Sequence, residues 1–116
     1  MSSVLVIGYD PRALPEGDGE RVRAALEAEL ARFAEHGVEV GTALVKDDAA
    51  AESVLVAALR ERPWRVVVIG GGIRQDPALL PLFERIVNLV RRHAPRAAVA
   101  FNSGVTDTVD AALRWL

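Results

Sequence analysis

Four short β-branched runs punctuate the chain, and each gives way to apolar residues recurring every three or four positions. The runs are Val4–Ile7, Val38–Val45, Val66–Ile69 and Ala97–Phe101. The first and third are apolar without interruption, as strands covered on both faces require. The second carries Glu39 and Thr42 and reads as a sheet edge. After the first run, Val22, Leu26, Leu30 and Phe33 form a helical stripe that Gly37 closes as a C′ residue. After the second, Ala51, Val54, Leu55, Ala58 and Leu59 form a narrower stripe, with Asp48 as N-cap and Pro63 as the stop. The third predicted helix begins at Asp76, takes Pro77 at its first position and ends near His93, before Ala94-Pro95. The fourth places Val105, Val109, Ala112, Leu113 and Leu116 on one face.

Strand and helix thus alternate four times in 116 residues, close to the ~30 residues that a βαβ unit needs. Such alternation predicts a single α/β domain spanning residues 1–116, with a parallel sheet and helices on both faces. Covering both faces requires one reversal of winding direction. The expected strand order is therefore 2-1-3-4, a Rossmann-like, flavodoxin-like three-layer sandwich without a fifth strand. The only non-periodic stretch runs from Asp10 to Asp18.

Composition agrees with this picture. Hydrophobic residues make up 51% of the chain, and 14 basic against 16 acidic side chains give a net charge of -2. The two signs read as interspersed, which argues against a nucleic-acid-binding face or a polybasic membrane anchor. Without cysteine there are no disulfides, thiolate metal sites or cysteine nucleophile. No apolar run approaches a membrane span and no signal-peptide pattern opens the chain, so a soluble cytoplasmic domain is expected.

The third predicted helix has an unusually wide apolar arc, built from Leu79, Leu80, Leu82, Phe83, Ile86, Val87, Leu89 and Val90. The fourth strand is a predicted edge with no Lys or Pro to discourage pairing. Together with Trp115 near the C-terminus, these features suggest a homodimer through the third and fourth helices or the fourth strand. The alternative is a monomer whose last helix covers that edge.

In an open parallel sheet, ligands bind beyond the C-terminal strand ends, where the strand order reverses. That crevice collects Gly8, Tyr9, Asp10 and Arg12 after the first strand and Gly70, Gly71, Gly72 and Arg74 after the third. Asn102 and Ser103, with Thr106 close by, follow the fourth. Three successive glycines can accept positive φ and form an anion-binding nest. Arg12 and Arg74 add forked donors for carboxylate or phosphate. An anionic small molecule or nucleotide-like ligand is the expected partner; the competing reading makes the glycines a tight turn and leaves the arginines solvated or ion-paired. Asp10 is either an Asx turn or a contact to ligand or Mg²⁺, and Asp48 and Asp76 read as helix caps. No metal site and no particular cofactor is specified.

Several chemistries find no pattern. His36 and His93 both fall at helix C-termini, on the edge opposite the crevice, so a histidine-based triad there is disfavoured. G-x-S-x-G, HExxH and the P-loop are absent, and Gly8-Tyr9-Asp10-Pro11 does not satisfy the dinucleotide fingerprint. The topology resembles that of response-regulator receiver domains. However, Gly70 stands where their phosphoacceptor aspartate would, and only Asp10 stands where their acidic pair would. Phosphotransfer of that kind is therefore excluded.

The stretch from Val66 to Leu116 contains Ile69-Gly70-Gly71-Gly72-Ile73-Arg74, Leu82-Phe83-Glu84 and Phe101-Asn102 followed by Thr106-Asp107-Thr108. It resembles a group of small bacterial Rossmann-like single-domain proteins with no assigned activity. The resemblance implies the fold and no mechanism, and it draws attention to Arg74, Asn102, Thr106 and Asp107. Three functional readings are carried forward: a small-molecule-binding domain using the crevice, a homo-oligomeric interaction module, and a small enzyme using Asp10, beside Asp47 or alone, with Arg74.

Overall fold

The computed structural model describes residues 2–116. Strands β1 (Ser3–Tyr9) and β3 (Val66–Ile69) lie side by side at the centre. Strand β2 (Glu39–Val45) pairs with the outer side of β1, and β4 (Ala98–Phe101) with the outer side of β3. All three pairings are parallel, and the order is β2-β1-β3-β4. Register sets Ile7 beside both Ala43 and Ile69, and Ile69 beside Phe101. The reversal therefore falls between the C-terminal ends of β1 and β3.

Alternation along the strands feeds two separate cores. Leu5, Ile7, Val67 and Ile69 point to the layer of α2 (Ala51–Arg60) and α4 (Leu80–His93), where Leu55, Leu59, Leu82 and Ile86 meet them. Val4, Val6, Val66 and Val68 point to α1 (Asp18–Glu35) and α5 (Thr108–Leu113), where Leu26, Phe33, Val109 and Ala112 are buried. This two-sided burial explains the uninterrupted apolar runs of β1 and β3. Each large side chain enclosed in this way, Phe33 for example, contributes on the order of 2–3 kcal/mol. Gly37, at φ 68°, follows the C-cap His36 of α1 and donates to Ala34 O at 3.0 Å. On β2, Gly41 accommodates the indole of Trp64; a Cβ there would lie 2.7 Å from Trp64 Cη2.

Several local details differ from the sequence expectation. Asp76 does cap a turn, its carboxylate accepting from Ala78 N at 2.9 Å, but Pro77–Leu79 is 3₁₀ and α4 starts only at Leu80. A second proline, Pro81, occupies the first turn of α4, where its missing N–H costs nothing. Asp48 accepts from Ala50 N at 3.0 Å in a turn ahead of α2, rather than capping the helix itself. The wide arc of the third predicted helix divides: Leu79, Leu82, Ile86, Leu89 and Val90 are buried, Phe83 is half-buried, and Leu80 and Val87 are exposed. On α5, Thr108 and Ala111 share the buried face with Val109 and Ala112, while Leu113 is exposed.

The charges are also less mixed than they read in sequence. Residues 1–62 hold twelve acidic and seven basic side chains, whereas residues 63–116 hold four and seven. Because the strand order keeps β1 and β2 together and β3 and β4 together, this division gives the sheet an acidic and a basic side. Among the described residues every ion pair uses Arg12, Arg21, Arg23, Arg32 or Arg62; no arginine after residue 62 makes one. No helix of the described residues is long and apolar enough to cross a membrane.

Candidate functional site

The ends of β1 and β3 frame a cavity of about 200 Å³ on the α1 and α5 side of the sheet. Its floor is backbone: Gly8 and Tyr9 from β1, and Gly70 to Gly72 after β3. Leu14, Val22 and Leu26 form one wall, and Val105 and Thr108 the facing one. Leu44 and Asn102 complete the lining from β2 and from the end of β4.

The glycine run does not form a nest. A nest alternates right- and left-handed backbone, but none of Gly70, Gly71 and Gly72 has positive φ; among the described residues only Gly17 and Gly37 do. Instead Gly71–Arg74 is a single turn of helix, α3, with Gly70 as its extended N-cap. Glycines are poor helix formers, so a tertiary contact sets this turn. Asn102 Oδ1 accepts from Gly71 N at 3.0 Å, and Gln75 N closes the turn onto Gly71 O at 2.9 Å.

Asn102 is buried, and both polar atoms of its side chain are engaged. Besides Gly71 N, its Oδ1 accepts from Arg74 Nη1 at 3.3 Å, and its Nδ2 donates to Thr108 Oγ1 at 3.0 Å. Thr108 in turn donates to Val105 O at 2.6 Å. One side chain thus ties the turn after β3 to the turn after β4 and to the start of α5. It also lines the cavity.

Arg74 is a clamp rather than a ligand donor. Nη1 donates to Ile69 O at 2.6 Å, and Nη2 donates to Asn102 O. The guanidinium lies 5.2 Å from the centre of the Phe101 ring, which Phe83 meets edge-on at 6.2 Å. Burial among these neutral partners pushes the Arg74 pKa down, opposed by the nearby Asp107 carboxylate. The Arg74 fork therefore closes the strand ends from the α4 side and does not itself line the cavity.

Asp10 and Arg12 satisfy each other. The buried Asp10 carboxylate accepts from Arg12 N at 3.0 Å, from Nε at 3.1 Å and from Nη2 at 2.9 Å. This is an Asx turn reinforced by a forked ion pair. The Arg12 hydrogen bonds hold the Asp10 carboxyl below the usual carboxylate range despite its burial. Neither residue lines the cavity, and among the described residues no group of three or more His, Asp or Glu side chains is placed to hold a metal ion.

Of the ten residues expected at the site, Tyr9, Gly70, Gly71, Gly72 and Asn102 come together around the cavity, and Asp10, Arg12, Arg74, Ser103 and Thr106 do not. Thr106 is exposed on the 3₁₀ turn Val105–Asp107. Ser103 belongs to a cap: Asp107 accepts from Ser103 N at 3.0 Å, Ser103 Oγ at 2.6 Å and Gly104 N at 3.1 Å. These donors, Ser103 Oγ first, lower the Asp107 pKa. Sequence reasoning missed the apolar walls, because Val22 and Leu26 read as core positions of an amphipathic helix. It also missed Glu29, a buried carboxylate on that helix that accepts from Val109 N at 3.1 Å and from Arg32 Nη1 at 2.7 Å. Glu29 lies three residues after Leu26 and four before Phe33, so the helical period itself places this carboxylate on the buried stripe.

Backbone donors remain free at the cavity. Gly72 and Val105 both line it, and their N–H groups find no protein acceptor among the described residues. Comparison with protein-family models and with curated proteins gives no match.

Proposed function

We propose that the protein binds a compact organic molecule in the crevice between the ends of β1 and β3. Its apolar body rests on Val22, Leu26 and Leu14, and a hydrogen-bond-accepting head, such as a carboxylate or phosphate oxygen, faces the Gly72 and Val105 N–H groups. The observation that carries this reading is the pairing of apolar walls with unpartnered backbone donors at the sheet's switch point. At about 200 Å³ the cavity is below the roughly 300–1,000 Å³ typical of pockets for drug-sized ligands, so a dinucleotide is disfavoured. The arginines that made a strongly anionic ligand attractive are engaged elsewhere, and the selectivity proposed here rests on shape and backbone donors. Catalysis through Asp10 and Arg74 lacks support for the same reason: neither stands in the cavity.

The test is a thermal-shift screen of small carboxylates, phosphates and ring-bearing acids, repeated on two cavity variants. Gly72→Ala places a methyl 3.6 Å from Tyr9 Cβ, an ordinary contact, beside the free N–H. Val22→Phe fills the wall. Any authentic ligand should lose at least tenfold in affinity in both variants, whereas undiminished binding would locate it elsewhere.

A further inference from the structure

The opposite end of the sheet carries a second concavity of different chemistry. A groove of about 420 Å³ lies between the loops that lead into β3 and β4 and is lined by Arg62, Trp64, Arg65, His93, Pro95 and Arg96, among others. No acidic residue lines it. Ala98 N donates to Arg65 O at 3.0 Å, and the parallel register then sets Arg65 alongside Ala97. Arg65 and Arg96 thus lie one register position apart at the β3–β4 boundary, and both line the groove. Both are exposed, and neither side chain donates to a protein acceptor among the described residues. Arg62 is fixed differently: its guanidinium lies 5.3 Å from the centre of the Trp64 ring while Nη1 pairs with Glu39.

A simpler account would have these cations cap the C-termini of α2 and α4. Among the described residues neither Arg65 nor Arg96 donates to a carbonyl there, and three of those carbonyls have other donors. Ala58 O accepts from Trp64 Nε1 at 2.8 Å, Val90 O from Ala94 N at 2.8 Å, and Ala94 O from Ala97 N at 3.0 Å. Two arginines without a protein partner in one groove without acids suit the recognition of oxyanions. We infer that this groove is an anion-binding site, separate from the crevice, for a small molecule bearing two or more phosphoryl or carboxyl groups. Arg65 and Arg96 grip the oxyanions, and Arg62 and His93 border them.

Trp64 supplies the readout. The chain has two tryptophans, and Trp115→Phe, at an exposed position, leaves Trp64 as the sole reporter. Pyrophosphate and citrate are each titrated at constant ionic strength, with Trp64 fluorescence and calorimetry in parallel. Saturable binding of either probe is expected, weakened at least tenfold by Arg65→Ala or Arg96→Ala and unchanged by Val22→Phe in the crevice. Failure of both probes to bind, or equal affinity in the Arg65→Ala/Arg96→Ala double variant, overturns the inference. The exposure of both arginines lets these variants fold, which unchanged urea midpoints would verify.

Discussion

At the C-terminal end of the sheet, Arg74 is drawn inward onto the carbonyls of Ile69 and Asn102 and over Phe101. At the N-terminal end, Arg65 and Arg96 stand in solvent along one groove with no protein partner among the described residues. Both regions are loops at strand ends, and both contain arginine. The difference lies in what the neighbouring backbone needs. Where β3 and β4 end, the chain turns sharply into α3 and α5, and carbonyls at those turns need donors that the sheet no longer supplies. Where β3 and β4 begin, Trp64, Ala94 and Ala97 donate to three of the carbonyls around the helix C-termini, and neither Arg65 nor Arg96 is drawn onto one. The same residue type is structural at one end and available for binding at the other, so an arginine near a strand end does not by itself mark an anion site.

Substitutions can break or sharpen this contrast. The largest effect is expected for Asn102→Ala, which leaves the Gly71 N–H without its acceptor and unties α3 from α5. Each buried group left unsatisfied costs about 1–3 kcal/mol, so urea unfolding should show a loss of roughly 2–4 kcal/mol. Arg74→Ala comes next at about 2 kcal/mol, since hydrogen bonds to charged groups are the stronger class; this is roughly an 8 °C fall in Tm for a chain of this length. Arg65→Ala should stay within about 0.5 kcal/mol of the parent. Equal losses for Arg74→Ala and Arg65→Ala would erase the distinction between the two ends.

An effect between those of Arg74→Ala and Arg65→Ala is expected at the cap. Asp107→Asn should cost about 1 kcal/mol by weakening the carboxylate that gathers Ser103 and Gly104. The same carboxylate, with Asp10, sets an acid dependence. Both have pKa values lowered in the folded protein, so between those values and the unfolded range near 4 the unfolded chain binds more protons. Stability from these groups is fully present above about pH 5 and declines as pH falls through the folded pKa values. Tm measured from pH 7 to pH 3 should fall accordingly, and less steeply in Asp107→Asn. An identical slope in both proteins would remove Asp107 from this account.

The charge division bears on self-association. A two-fold contact through β4, one of the dimer contacts suggested by the sequence, would bring together two copies of the basic side of the sheet. That side carries the unpaired arginines, and like charge opposes such a contact at low salt. A groove that recruits an anion relieves the same repulsion without a second copy.

Periodicity alone determined the fold class of this protein. Uninterrupted apolar runs at β1 and β3, a polar-bearing run at β2 and four helical stripes point to a parallel sheet covered on both faces, for which 2-1-3-4 is the commonest small order and the one the structure adopts. The cavity's position at the switch point followed from that order. Sequence could not decide where each polar side chain would point, because that depends on which backbone groups remain unpaired after the sheet and helices have formed. Asn102, Arg74 and Glu29 were drawn to such groups, and Arg65 and Arg96 were not. These assignments depend on contacts between residues up to eighty positions apart; tertiary structure decided them, since a buried N–H or carbonyl must find a partner wherever the fold brings one.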